Sequence, residues 1–264
     1  MDQPRPLQST FQLNSASTVT QIIYLAIPSD RDLKNATSYH GRLWSSALDA
    51  IENSPGFSRL YWGRSLEKLD NVQLHVVRSS LHQHREFLKS IAFNEFSAFV
   101  HALASSGSTK PIKAIRHASL VDQTPACKAL GRGAPFTGSA IYLRPTKAWN
   151  EGAWPLWTNV VPEVDGNLGC AGGTMLEPVE LLEDPVLLGS DGKPTKEVPH
   201  KGTKWEGYVV YVGWQSVEQH EAYHHTKHFA QHSVILRCGN AGFAEYGHVV
   251  FEGSREREVS TARL

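Results

Sequence analysis

The sequence is short of the features that usually classify a chain at sight. Its 264 residues include only three cysteines, Cys127, Cys170 and Cys238, and two methionines. An odd number of widely spaced thiols offers no disulfide framework and matches no zinc-ligand spacing, so a reducing compartment, the cytoplasm, is expected. Neither sign of charge is in excess: 26 Lys and Arg balance 26 Asp and Glu. A nucleic-acid binder gathers basic residues on one face, and no such stripe is present, so nucleic acid is not expected as a partner. No stretch reaches the roughly 18 apolar residues of a membrane span. The first 17 residues are polar, contain Pro4 and Pro6, and lack the apolar run of a signal peptide.

What is present is an ordinary globular balance, 41% hydrophobic and 20% charged, with an unusual thirteen histidines. The length suits one large domain or two of roughly 100–130 residues. After the tail at 1–17, a strand is expected at Thr18–Ile27. A helix follows over Asn35–Glu52, where apolar residues recur every three or four positions. Phe57–Arg64 and Val72–Arg78 read as strands, Leu81–Ala104 as a helical region with a wide apolar stripe, and Ile112–Leu120 as a closing strand. The order β-α-β-β-α-β is the split βαβ, ferredoxin-like unit. It defines a first repeat over 18–120, with a linker at 121–136.

A second cycle occupies 137–253, followed by a short tail at 254–264. Ser139–Leu143 parallels Gln21–Leu25, with Tyr142 in the place of Tyr24. Trp149–Val160 reads as a helix that Pro155 should kink or restart. Residues 162–205, rich in Pro, Gly and acidic residues, hold one strand and a long loop. Gly207–Trp214 is a strand, Ser216–Arg237 one helix or two short ones, and Phe243–Phe251 the closing strand. The stretches Ser80–Phe93 and Ser216–Phe229 match without gaps at Ser80/Ser216, Gln83/Gln219, His84/His220 and Phe93/Phe229. Each serine, with glutamine three residues on, reads as a capping box. Two four-stranded sheets, each with helices on one face, leave apolar faces that must be covered. The fold class expected is therefore α+β: two repeats whose antiparallel sheets pack face to face as a barrel within one chain.

Leu60-Tyr61-Trp62-Gly63-Arg64, and Trp214-Gln215-Ser216-Val217-Glu218 leading into Tyr223 and His228, resemble segments of the dimeric α+β barrel superfamily. The likeness is to its stress-responsive (Dabb) and antibiotic-biosynthesis-monooxygenase-like branches, and in motif to a polyketide cyclase of that fold. The resemblance implies that Tyr223 and His228 act on substrate, and His224 joins them as a catalytic candidate. The first repeat has Phe87 and Ala92 at the matching sites, so it would lack both groups.

A neutral imidazole near pH 7 suits general acid–base work, and a tyrosine hydroxyl can donate to a developing oxyanion. Tyr211, Tyr208, Tyr142, Trp154 and Trp157 are the candidates for binding substrate, with core packing as the competing role. Period-two alternation places Tyr211 with Val209 and opposite Tyr208. His220, His224, His228 and His232 recur every four residues with His225 alongside, a spacing that can chelate a metal on an unbroken helix. The apolar residues there form no clean stripe, so a break near Thr226 is expected, no metal is expected, and surface or capping roles compete for His220, His224, His225 and His232. The expected function is a cofactor-independent enzyme of secondary metabolism that cyclises or isomerises a small, apolar, oxygenated, polyketide-like or aromatic metabolite. A cofactor-free monooxygenase, a non-catalytic ligand-binding or stress-responsive barrel and, third, a haem binder stay open, as does a homodimer.

Overall fold

Alternation in the first strand, β1 (Val19–Ala26), already separates two layers: Ile22 and Tyr24 pack with one apolar cluster, Ile23 and Leu25 with another. The structure, a computed structural model, describes residues 18–104, 110–189, 191–195 and 202–257. The expected tail at 1–17 and the residues beyond 257 lie outside the described residues. The first repeat continues with α1 (Tyr39–Glu52), β2 (Phe57–Ser65), β3 (Asn71–Arg78), α2 (Leu81–Leu88), α3 (Ile91–Leu103) and β4 (Ile112–Asp122). The second runs β5 (Phe136–Leu143), α4 (Trp154–Val160), β6 (Asn167–Met175), three two-residue strands β7 (Val179–Glu180), β8 (Val186–Leu187) and β9 (Lys204–Trp205), then β10 (Gly207–Trp214), α5 (Val217–Tyr223), α6 (Lys227–His232) and β11 (Gly242–Glu256).

The strands order β2-β3-β1-β4-β6-β10-β5-β11, and β11 returns to pair with β2, so the eight long strands close an antiparallel barrel. β4–β6 and β2–β11 are the seams between repeats. β11 runs on to Glu256, past the 253 boundary read from the sequence, because its second half must cover the edge of β2. Ile22, Val77, Ala171, Ile141 and Val209 fill the interior. Outside, α1 and α3 bury Trp44, Phe96 and Leu103 on the first repeat's sheet, and a tryptophan group (Trp149, Trp154, Trp157, Trp214) does the same for the second. Inside the barrel, Arg116 of β4 holds Glu245 of β11 with two bonds of 2.7 and 2.8 Å, a buried pair that joins the repeats.

Three sequence expectations change. The helical region at 81–104 is two helices, since Ser90 accepts from the Phe93 N–H and caps a fresh start. Residues 149–153 form a π turn before α4, with Pro155 in its first turn, where no N–H is needed. The pairing of Tyr24 with Tyr142 is off by one. β1 and β3 pair Val19 with Arg78, and β5 and β10 pair Phe136 with Trp214, so Gln21 corresponds to Gly138 and Tyr24 to Ile141. A one-residue slip reverses every side chain: Tyr24 packs with the interior cluster, whereas Tyr142 lies outside against Trp149, ring centroids 4.2 Å apart.

Candidate active site

Ser216 caps α5 by accepting from the Gln219 N–H at 3.1 Å, and Thr226 caps α6 by accepting from Phe229 at 3.1 Å. The helix therefore breaks at Thr226, and the histidines separate. His220 and Tyr223 turn inward onto the sheet; His225 is exposed. Between these helices, α4 and the outer face of β5 and β10 lies a cavity of about 70 Å³. Its walls are mostly apolar, among them Trp154, Trp157, Trp214, Val210 and Phe229, and its ionisable groups are His220, His224, Tyr142, Tyr223 and Tyr246. Burial pushes the Tyr223 hydroxyl up to about 12, assisted by Cys170, so it is a neutral hydrogen-bond donor. Burial, with His225 and His248 adding, lowers His224.

His220 lies flat on Trp214, ring centroids 4.5 Å apart. Its Nδ1 is 2.7 Å from Nε2 of His248, and His248 Nδ1 is 2.6 Å from a carboxylate oxygen of Glu67. The backbone N–H of His248 also donates to Glu67, at 3.0 Å. Burial opposes ionisation of Glu67, but these bonds hold its carboxyl below the usual range. An ionised Glu67 accepts from His248 Nδ1–H. With His248 neutral, its Nε2 is left as acceptor, and His220 then donates from Nδ1 and carries the lone pair on Nε2. Among the described residues, that Nε2 has no hydrogen-bond partner. Burial, with His248 and His224, pushes His220 down to about 3. Gly138 makes the arrangement fit, since a Cβ there would stand 3.2 Å from His220 Cε1.

The same three residue types recur around the first repeat's histidines at matching positions: His84 on α2, His117 on β4 and, from the second repeat, Glu177 two residues after β6, as Glu67 is two after β2. His117 Nδ1 meets Glu177 at 3.0 Å, and the His84 and His117 rings are 5.3 Å apart. Here the chain of bonds is interrupted. Gln21, in the place of Gly138, takes His117 Nε2 at 3.0 Å. Arg78, in the place of Trp214, donates to His84 Nδ1 at 3.2 Å, and His84 Nε2 reaches the Val19 carbonyl at 2.9 Å.

The expected site residues are divided among several surroundings. Tyr223 and His224 line the cavity with Tyr142, Trp154 and Trp157. Tyr223 Oη bonds His228 Nδ1 at 3.1 Å, but His228 lies beyond it, in a shallow recess of about 300 Å³ with Glu163, Asp165 and Gln219. Tyr208 packs on Trp149 and Trp154 without lining the cavity. Tyr211 faces the barrel interior, where burial raises its hydroxyl well above the ordinary value, and lines a separate chamber of about 410 Å³. That chamber shares Ser139, Ala140 and Tyr246 with the cavity and is also lined by Glu67 and His248. Sequence reading left His220 open between a metal-spaced histidine row and a surface or capping role, and did not single out His248 or Glu67. The available signal was the His84/His220 identity together with a histidine on each closing strand. Among the described residues, no group of three His, Cys, Asp or Glu side chains is arranged to hold a metal ion. The described cysteines are all free, and no described helix is long and apolar enough to cross a membrane.

No family model and no curated protein matches the chain. Solved structures do. An anthrone oxidase-like protein superposes with a TM-score of 0.57 at 12% identity, covering 91% of this chain and 93% of its own. A provisionally assigned monooxygenase of Fusobacterium nucleatum gives 0.52 at 8% identity, covering 91% and 95%. One from Lactobacillus acidophilus gives 0.50 at 10%, covering 91% and 96%. At such identities the likeness is one of fold. It agrees with the closed barrel and the doubled βαββαβ unit, with both repeats on a single polypeptide.

Proposed function

We propose that the protein is a cofactor-independent enzyme that removes a proton from a small, apolar, oxygenated aromatic or polyketide-like metabolite in the second repeat's cavity. The observation that carries this reading is His220, held at Nδ1 by His248 and without a hydrogen-bond partner at Nε2 among the described residues, in the lining of an aromatic-walled cavity with Tyr223 and His224. His220 takes the proton, Tyr223 and His224 are placed to donate to the oxygen that becomes negative, and Trp154, Trp157 and Tyr142 hold the ring. At about 70 Å³ the cavity accepts the reacting edge of a ring. The rest of the substrate extends past Tyr246, whose side chain is half exposed on the cavity wall. His228 orients the Tyr223 hydroxyl through their hydrogen bond.

The anion so formed has two fates. Attack on an internal carbonyl closes a ring; transfer of electrons to dioxygen oxygenates the substrate. The second fate is favoured by the neighbours, two of which are provisionally assigned as monooxygenases and one of which is anthrone oxidase-like. Anthrone, whose methylene carbon is acidic, separates these readings. In heavy water without oxygen, the enzyme should exchange deuterium into that carbon; with oxygen, uptake of dioxygen in step with anthrone loss marks the oxygenase. Anaerobic exchange without oxygen uptake marks a cyclase or isomerase. If neither anthrone nor 1,3-dihydroxynaphthalene exchanges faster than in buffer, the acid–base reading falls and a binding protein takes its place.

A further inference from the structure

We propose that the base of this site is composite and spans both repeats: a proton taken by His220 Nε2 is matched by release of the Nδ1 proton to His248, and Glu67 of the first repeat holds the resulting imidazolium. The inference rests on the acid–base reading of the same cavity and deepens it. The problem it answers is physical. His220 is buried among aromatic rings and resists carrying charge. A ring that cannot hold a cation is a poor base unless the charge moves on. His248 offers the way out at 2.7 Å, and Glu67 waits 2.6 Å beyond it.

The step balances. A substrate C–H or O–H bond breaks and an Nε2–H bond forms on His220. The His220 Nδ1–H bond breaks and an Nε2–H bond forms on His248. The substrate is left as an anion, His220 is neutral again in its other tautomer, and His248 is a cation against an ionised Glu67. Glu67 stays a carboxylate throughout and acts through His248, so it is a positioning residue. It also lines the wide chamber at the barrel mouth and is partly exposed, with 44% of its side chain accessible, so the charge ends where solvent can stabilise it.

The first repeat supplies a built-in control. Glu177 and His117 form the same pair, but Gln21 occupies the imidazole that would continue the chain, and Arg78 with the Val19 carbonyl ties up both nitrogens of His84. The two constellations thus predict one working relay and one locked copy. Neither is made by a single repeat, since each carboxylate comes from the other half.

The test begins with ¹⁵N-imidazole NMR of the full-length protein without ligand. His220 and His248 should each show a protonated Nδ1 and an unprotonated Nε2, while His84 shows the reverse. A His220 protonated at Nε2 overturns the relay, whatever the protein turns over. Glu67→Gln should then mix the His248 and His220 tautomers and lower anthrone exchange about 100-fold with little change in KM, while Glu177→Gln leaves exchange within about twofold. Equal effects of the two substitutions also overturn the proposal. The expected tautomers in a protein that exchanges nothing would leave the relay standing and sink the enzymatic reading instead.

Discussion

His84 and His220 occupy the same place in the repeated unit, four residues after a serine that caps the helix, yet their rings are used differently. His84 has a partner at each nitrogen, Arg78 and the Val19 carbonyl, and functions as a strut between α2, β3 and β1. His220 has a hydrogen-bond partner at one nitrogen only among the described residues, and its ring lines a cavity. The backbone does not distinguish them. Two neighbours do: Arg78 against Trp214, and Gln21 against Gly138. The two constellations are equivalent in backbone, and a side chain's worth of space decides which of the two histidines lines a cavity.

The sharpest way to break this comparison is to remove each ring. His220→Ala should lower anthrone exchange per folded molecule by about 1,000-fold, about 4 kcal/mol at the barrier, beside a stability cost of about 1–3 kcal/mol for leaving His248 Nε2 without its partner. His84→Ala should do the opposite. It strands the Val19 carbonyl and one Arg78 nitrogen in the interior, at a cost of about 2–4 kcal/mol of stability, and leaves exchange per folded molecule as it was. If the two variants lose activity alike, the repeats are not functionally distinct.

Acid unfolding compares the same rings without reference to any substrate. His75, His84 and His220 are each pushed down to about 3, burial being the largest cause, whereas the ordinary histidine value is 6.5. The unfolded chain takes up these protons near pH 6.5 and the folded chain does not until near pH 3. Their contribution is therefore complete above 6.5 and is lost progressively as pH falls between the two values. The lowered carboxyls of Glu67 and Glu177 act in the same direction further down. Denaturant titrations between pH 6 and 4 should show stability falling, with these three rings alone taking up about three protons on unfolding, or up to about 4 kcal/mol per pH unit, and the lowered His117 and His224 adding in the same direction. His84→Gln and His220→Gln should each remove about one proton from that slope. An unchanged slope in either variant would mean that the ring charges in the folded state.

Much of this architecture was legible in the sequence. The doubled βαββαβ order, the capping serines and the break at Thr226 all follow from local pattern, and local pattern fixes local hydrogen bonds. The relay was not legible, because its parts are far apart in the chain: His248 lies 28 residues from His220 and 181 from Glu67. Only closure of the barrel brings β11 beside both β5 and the end of β2. The letter match of Tyr24 to Tyr142 concealed the difference that matters. Shifted by one, it sets Gln21 against Ser139, whereas the true register sets it against Gly138. His228, which the motif match singled out, bonds the Tyr223 hydroxyl and lines the neighbouring recess, not the cavity.

The finest adjustment of the comparison is a single methyl group. Gly138→Ala would place a Cβ 3.2 Å from His220 Cε1 and 3.6 Å from its Nδ1, closer than most packed carbons tolerate. The strand conformation itself accepts alanine, so stability should change little. The ring, held from behind by Trp214, can yield only by sliding a few tenths of an ångström away from His248. A hydrogen bond of 2.7 Å weakens quickly under such a shift, and anthrone exchange should fall about tenfold, about 1.4 kcal/mol. Gln21→Gly at the matching position should not create a second active relay, because Arg78 still claims His84. Exchange unaffected by Gly138→Ala would show that proton transfer tolerates a loose contact between the two rings. The difference between the repeats would then lie in the shape of the cavity that Trp214 leaves and Arg78 fills, and not in the bond that Gly138 permits.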